Sequence, residues 1–262
     1  MTRKRADLLL VERGLFESRA KARAAIEAGG VTVDGRPVAK ASELLDEGVE
    51  IAAVAAHPWV GRGALKLVHA LDAWPVSVEG RVVLDVGAST GGFTEVCLAR
   101  GAERVFAVDV GRGQLHPSLR ADPRVINLEA TDARVLTAAL IDKSPGLIVS
   151  DVSFIGLAKA LPAALALASQ DCDLVVLVKP QFELEPGQIG KGGLVRDEAD
   201  RLAALEGVKT FLGASGWTIR AWADSPIEGG EGAREYLLWA KKEAAGVSAD
   251  GPSLSPEKGG SS

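Results

Sequence analysis

The stretch Val82-Val-Leu-Asp-Val-Gly-Ala-Ser-Thr-Gly-Gly-Phe93 decides the fold. Val82–Val86 is apolar apart from Asp85, the composition of a short strand buried on both faces. Gly87, Gly91 and Gly92 follow, and residues without a Cβ let a backbone turn tightly and come close to a ligand. A helical pattern then runs over Gly92–Arg100. Downstream the same alternation repeats. Arg104–Val110, Arg124–Leu128, Leu147–Asp151 and Leu174–Val178 read as buried strands, Ile155–Ser169 and Asp197–Ala214 as helices, and Trp217–Ala223 and Tyr236–Ala240 as late strands. Strand–helix alternation of this kind predicts an α/β, Rossmann-like domain around a doubly wound, mostly parallel, seven-stranded sheet.

Upstream the pattern changes. Ala6–Arg13 predicts a short helix stopped by Gly14, and Ser18 is a good N-cap for a second over Arg19–Ala28, ended by Gly29-Gly30. Val31–Val38 alternates around an Asp34-Gly35 turn, which predicts a hairpin, and Val49–Val54 is suited to close a small sheet. Pro58 disfavours helix at His57, so the segment before Val60 reads as a linker. The expected division is a small α+β domain over 1–54, a linker over 55–60, the α/β domain over 61–244, and a Gly-, Ser- and Pro-rich tail over 245–262 expected to be disordered.

Composition bounds the function. With 262 residues, 47% apolar and 25% charged, the chain can form a packed core. The net charge of −5 speaks against a nucleic-acid binder until it is divided. Residues 1–40 hold nine Lys/Arg against five Asp/Glu, which leaves −9 on the remainder. A basic arm on an acidic body is compatible with RNA binding. Arg5, Arg19, Lys21 and Arg23 fall on or near the helix pair, and Lys40 follows the hairpin. Met1–Arg5 is no apolar leader, and the longest apolar stretch, Ile155–Ala168, contains Lys159 and Pro162 and is too short for a span, so a soluble cytoplasmic protein is expected. Cys97 and Cys172 sit in apolar segments and are expected to be structural thiols. His57, His69 and His116 share no ligand spacing, so no metal is expected.

The glycine loop fits neither G-x-G-x-x-G nor a phosphate-binding G-K-S/T loop. It fits the acidic-x-Gly-x-x-x-Gly arrangement of methyltransferases, in which Asp85 and the loop residues Gly87, Ala88, Ser89, Thr90, Gly91 and Gly92 surround the methionine part of S-adenosylmethionine. Asp109, ending the next strand, suits the ribose hydroxyls, and Asp132, after the third, the adenine amino group. Three acids at successive strand ends favour S-adenosylmethionine, with NAD as the alternative cofactor.

The acceptor is narrowed by absences. Methylation at carbon 5 of cytosine needs a nucleophilic thiolate, and neither cysteine ends the fourth or fifth strand. Methylation of an exocyclic amine typically uses an Asp/Asn-Pro-Pro-aromatic loop after the fourth strand, where this chain reads Asp151-Val-Ser-Phe154. A hydroxyl acceptor remains. A ribose 2′-OH is a poor nucleophile that needs a base or an orienting cation, and a lysine can serve when its neighbours tune it. Lys179 closes the fifth strand, an unusual place for a solubilising charge, and burial there calls for carboxylate partners.

Residues 5–53, with the helix pair and "GGVTVDGRPV", resemble the small RNA-binding domain first known from ribosomal protein S4. From about Arg3 to Trp239 the chain resembles the TlyA (haemolysin A-like) ribosomal RNA methyltransferases, relatives of the FtsJ 2′-O-methyltransferases, through "SRAKA", "WVGRGALKL", "LDVGASTGGFTE", "SDVSFI", "LVKPQFE" and "KGGLVRD". The resemblance implies a Lys-Asp-Lys-Glu tetrad at Lys66, Asp151, Lys179 and Glu235. Lys179 would be the general base or hydroxyl-orienting cation. Asp151 would tune it and orient the methyl donor, and Lys66 and Glu235 would hold the ribose. Glu228 and Glu231 compete with Glu235 for the fourth place, since Gly232-Ala-Arg-Glu235 departs from the family's Gly-Asn-x-Glu. It also implies a cytidine ribose in ribosomal RNA as substrate, in the large subunit alone or in both. Arg5, Arg19 and Lys40 match the family's RNA contacts, and Lys21, Arg23 and Arg62 are assigned to the same set. The linker reads "HPWV" where longer forms carry an Arg-Ala-Trp-Val type sequence. A monomer is expected. The competing readings are a non-catalytic RNA-binding ribosome-assembly factor and a membrane-active haemolysin. The loop Gln181–Asp197, with Lys191 and Arg196, reads equally as an RNA cover or as a connector.

Overall fold

The computed structural model describes residues 3–190 and 192–243; Lys191 and the tail at 245–262 lie outside the described residues. The N-terminal unit runs β1 (Arg3–Arg5), α1 (Ala6–Glu12), α2 (Arg19–Glu27), β2 (Val31–Val33), β3 (Arg36–Pro37), β4 (Leu44–Asp46) and β5 (Ile51–Ala53). Ser18 caps α2 by accepting from the Lys21 N–H. Asp34 and Gly35 both take positive φ, +47° and +77°, as a two-residue hairpin turn demands. β2 pairs antiparallel with β3 and β5, as the alternation predicts. The β1–β4 pair was not expected: Arg-Lys-Arg carries no strand signal, and the pairing is made by the backbone across 43 residues. Leu9, Leu10, Ala22, Ala25, Ile26, Val31, Val33 and Leu45 form a separate small core.

The second unit follows as α3 (Ala64–Ala73), β6 (Val82–Val86), α4 (Gly92–Ala99), β7 (Arg104–Val108), α5 (Pro117–Arg120), β8 (Val125–Leu128), β9 (Leu147–Ser150), α6 (Leu157–Ala160), α7 (Pro162–Leu167), β10 (Cys172–Val178), α8 (Pro180–Glu183), α9 (Glu198–Ala214), β11 (Thr218–Asp224) and β12 (Tyr236–Lys242). The seven strands stand in the order β11-β12-β10-β9-β6-β7-β8. β12 runs antiparallel to both of its neighbours, and the remaining pairs are parallel. Alternate residues of the central strands feed two cores. Val83, Val105, Leu147 and Val175 pack against α3 and α4 on one face, and Leu84, Phe106, Ile148 and Val176 against the α6, α7 and α9 layer on the other. The strand order reverses beside β6, between β7 and β9, and ligands of such sheets bind at the carboxyl ends there.

Two expectations need correction. Ile155–Ser169 is not one helix but α6 and α7, because Pro162 has no N–H to continue α6 and instead occupies the first position of α7. The helix also starts at Leu157 rather than Ile155, since Phe154 takes φ +66°. Cys97 and Cys172 are buried and free, and burial raises both thiols, that of Cys172 to about 12. No described helix is long and apolar enough to cross a membrane.

Candidate active site

The carboxyl ends of β6 to β9 open on a cleft of about 810 Å³, of the size that holds a nucleoside-like ligand. Gly87 and Ser89, from the loop after β6, line it with Asp109, Gly111, Gln114, Asp132, Asp151 and Phe154. Gly87 has φ +87°, and a Cβ there would stand 3.0–3.1 Å from the backbone of Asp151 and Val152, so only glycine lets the loop lie against the end of β9. The other loop residues stand behind this cleft. Gly91 is packed under Leu115 and Leu119, Gly92 lies against Ala64 of α3, Ala88 is buried, and Thr90 turns to a second cleft. They shape the loop and do not line this cleft.

Asp109 accepts from the Ser89 N–H at 2.8 Å and the Gly111 N–H at 2.7 Å, one on each oxygen. The carboxylate is thereby fixed, with lone pairs still available. Asp132 is held by Arg134, whose guanidinium, with the Arg134 N–H, keeps its carboxyl low, at about 2.

Asp85 does not line the cleft. It is fully buried beneath the loop and accepts from the Thr94 hydroxyl at 2.7 Å, while its Oδ1 has no partner in the protein. Burial raises its carboxyl to about 7; the Thr94 hydrogen bond opposes this, and the nearby Asp151 carboxylate adds to it. A carboxyl raised on folding keeps a proton that the unfolded chain, near its ordinary 3.8, has lost. Stability therefore falls as pH rises from about 4 to about 7 and levels above. Asp85→Asn removes this titration. Urea midpoints of the ligand-free protein should show the variant gaining on the wild type across that window. A difference independent of pH would mean that Asp85 ionises as an ordinary aspartate.

Beside the cleft stand two ion pairs. Lys66, one turn into α3, meets Glu235 at 2.5 Å, and their side chains are 8% and 3% exposed. Lys179, the residue after β10, lies 2.6 Å from Asp151 Oδ1 as an ion pair without hydrogen-bond alignment, and donates to Ser153 Oγ at 2.8 Å. The β10–β12 register, Val178 opposite Tyr236, sets Lys179 and Glu235 at the same level of the sheet. Gly63 closes the group, because a Cβ there would stand 3.3 Å from Asp151 Oδ2. Residues 66, 151, 179 and 235 thus converge at one end of the sheet. Glu228 and Glu231, the competitors of Glu235, are exposed.

The sequence reading passed over Phe154. It is 91% exposed, holds the left-handed backbone that bulky residues avoid, and leans on Phe182 with ring centroids 5.2 Å apart. An aromatic inside "SDVSFI" reads as core, and nothing in the pattern marks its φ.

The basic residues form two groups. Arg5 and Arg19 both bind the buried Asp7, whose carboxyl they lower to about 2. Lys21 and Arg23, paired along α2 with Glu17 and Glu27, line the second cleft, of about 870 Å³, together with Arg62, His57, Thr90 and the 227–232 loop. Lys40 is exposed. The linker is tied to the second unit, as the Val60 N–H donates to Glu95 at 2.6 Å. Among its described residues, the Gln181–Asp197 segment holds the end of α8 and a short turn at Pro186–Gln188, with the Val195 and Arg196 carbonyls held by Arg201. Among the described residues no His, Cys, Asp and Glu side chains group to hold a metal ion.

Comparisons with known proteins fit this geometry. The FtsJ-like methyltransferase family matches residues 59–242, and the S4 domain family matches residues 4–51. A 16S/23S rRNA (cytidine-2′-O)-methyltransferase TlyA of Mycobacterium tuberculosis is 47% identical over 243 residues, covering 92% of this chain and 91% of its own. Hemolysin A of Brachyspira hyodysenteriae is 38% identical, over 89% of this chain and 98% of its own. The solved structure of a candidate hemolysin from Streptococcus thermophilus superposes with a TM-score of 0.73 at 39% identity, covering 93% of this chain and 90% of that one.

Proposed function

This chain belongs to the FtsJ-like methyltransferases, in the TlyA-type branch that carries an S4 domain in front, and from that premise we propose that it methylates the ribose 2′-OH of a cytidine in ribosomal RNA. The large subunit is the first substrate to test and the small subunit the second. The observation that carries the proposal is the convergence of two ion pairs, the buried pair of Lys66 with Glu235 and the partly buried pair of Lys179 with Asp151, beside a nucleoside-sized cleft.

The cleft residues suit S-adenosylmethionine. The Gly87 cradle gives the ligand close access to the backbone, Asp109 suits its ribose hydroxyls, Asp132 its adenine amino group, and Asp151 the end nearest the reaction. When bound, S-adenosylmethionine supplies an electrophilic methyl on a sulfonium. The chain's own residues deal with the acceptor. A 2′-OH needs help to lose its proton, and Lys179 Nζ either takes that proton or, as a cation, orients the hydroxyl. Asp151 and Ser153 hold Nζ from two sides. Lys66 and Glu235 bind the ribose from the α3 and β12 side. The proton leaves the oxygen as the new O–C bond forms and the donor's S–C bond breaks, its sulfur leaving as a neutral thioether, and alignment of the reacting atoms contributes about 7–11 kcal/mol.

In this reading, residues 1–54 deliver RNA across the 55–60 linker to a catalytic domain over 61–244, and a single chain suffices. Arg5, Arg19, Lys21, Arg23, Lys40 and Arg62 contact phosphates. Asp7 pre-orders the first two, and the second cleft carries Lys21, Arg23 and Arg62 toward the site. The direct test transfers labelled methyl from S-adenosylmethionine to purified unmodified 30S and 50S subunits. Label recovered as a 2′-O-methylated cytidine supports the proposal. No label in any RNA, despite cofactor binding, favours an assembly factor or another hydroxyl acceptor.

Phe154 stands at the mouth of the cleft and is suited to stack on the acceptor base. Such a stack contributes about 1–3 kcal/mol. Phe154→Ala should therefore lower kcat/KM for RNA by roughly 5–150-fold with cofactor affinity unchanged, and Phe154→Trp should keep most activity. Equal losses in the Ala and Trp variants would argue against stacking.

A further inference from the structure

We propose that Glu183, which belongs to neither ion pair, is a positioning residue for the acceptor: it clamps the loop after β9 onto α8 and so sets where Ser153 and Phe154 stand. The proposal rests on the reading of this end of the sheet as the methyl-transfer site.

The loop 151–156 connects β9 to α6, and α6 starts without a side-chain cap of its own, since its N-cap is Gly156. An uncapped helix start leaves backbone N–H groups to be satisfied from elsewhere. Glu183, at the end of α8, supplies the acceptor: its Oε1 receives the Leu157 N–H at 2.9 Å. Its Oε2 and the Phe182 carbonyl each lie 3.0 Å from where a Gly156 Cβ would stand, so loop and helix touch and a side chain there would press on both. The Phe182 ring meets that of Phe154, and Lys179, at the other end of α8, donates to Ser153. Residues 179, 182 and 183 of one short turn therefore hold residues 153 and 154 of the loop and residue 157 at the start of α6.

Among the described residues no cation pairs with Glu183, and burial raises its carboxyl above the ordinary range. A glutamine amide oxygen could accept the same N–H with less cost of burying charge, so overall stability does not account for the carboxylate. What an ionised acceptor adds is a stronger grip on the N–H it receives. The consequence belongs to the reaction, where a shift of one ångström in a reacting group costs about a hundredfold.

The experiment uses the full chain with unmodified ribosomal subunits and labelled S-adenosylmethionine. Three variants are compared, Glu183→Ala, Glu183→Gln and Gly156→Ala. Glu183→Ala should lose about ten- to a hundredfold in kcat, with cofactor Kd within about twofold of the wild type. Glu183→Gln should recover part of that loss, because its amide oxygen still accepts from Leu157 but without the stronger grip of an ionised acceptor. Gly156→Ala should reproduce the loss with Glu183 intact by wedging the loop off α8, and the double variant with Glu183→Ala should be no worse than the weaker single. Independently of turnover, the Leu157 amide should exchange with deuterium faster in Glu183→Ala. A Glu183→Ala variant with wild-type kcat and unchanged Leu157 exchange overturns the clamp. So does a loss that Gln does not restore and that follows a fall in Tm. If the wild type labels no RNA while the exchange change is present, the clamp stands and the reading of the reaction fails.

Discussion

Lys179→Ala is expected to lower methyl transfer to ribosomal RNA by about 10²–10⁴-fold, the range that a positioned proton-transfer group contributes, while cofactor affinity stays close to the wild-type value. The expectation rests on where the side chain is. Lys179 leaves the sheet at the last hydrogen-bonded level of β10, is 9% exposed, and is held by Asp151 on one side and Ser153 on the other. It does not line the cleft assigned to the cofactor, whereas Asp151 does. The two members of the pair should therefore separate in assays. Lys179→Ala should leave binding of S-adenosylmethionine measurable by calorimetry and remove turnover, and Asp151→Ala should weaken both. Lys179→Arg divides the two roles left open for the lysine. A guanidinium keeps the charge but does not give up its proton near neutral pH. Activity within about tenfold of wild type in this variant would assign Lys179 as the orienting cation, and a loss equal to that of alanine would favour the base. Undiminished transfer in Lys179→Ala would sink the assignment altogether.

How much of this was legible in the sequence depends on where each signal resides. The strands β6, β7, β9 and β10 were readable because a strand buried on both faces must be apolar along most of its length, and the strand ends are marked by the acids and glycines that follow. α3 was not assigned, because Ala-Leu-Lys-Leu-Val-His-Ala-Leu-Asp-Ala mixes apolar residues around the helix and begins with glycines at 61 and 63 in place of a capping side chain. The break between α6 and α7 was written in Pro162, which the apolar run around it outweighed in the reading. Of the site, residues 66, 151, 179 and 235 came from motif order, but which lysine meets which carboxylate could not. Lys66 and Glu235 are 169 positions apart, and only the antiparallel insertion of β12 beside β10 brings Glu235 to that level. The burial of Asp85 was not legible for a related reason: an acid at a strand end looks the same in sequence whether it faces the cleft or lies sealed beneath the loop.

The Lys66–Glu235 pair should produce the largest change in stability, with a pattern unlike that at Lys179. Both side chains are buried, and the 228–235 loop is shaped around the carboxylate, since a Cβ at Gly229 would collide with Glu235 Oε1. Removing one partner leaves the other as an uncompensated buried charge, which costs about 3–5 kcal/mol. For a domain of this size that is a fall in Tm of roughly 6–20 °C. Glu235→Ala and Lys66→Ala should each show it, in calorimetry or urea unfolding, and each should lose transfer. Replacing both members by apolar residues of similar volume, Lys66→Met with Glu235→Leu, removes the two charges together, and such exchanges are often neutral or stabilising. The double variant is therefore expected to regain most of the lost Tm and still bind cofactor, yet remain without methyl transfer, because neither a donor nor an acceptor is left to hold the ribose. Recovery of activity along with stability would mean that the pair only supports the fold. Recovery of stability alone would separate its contribution to folding from its contribution to the reaction, which no single substitution at either position can do.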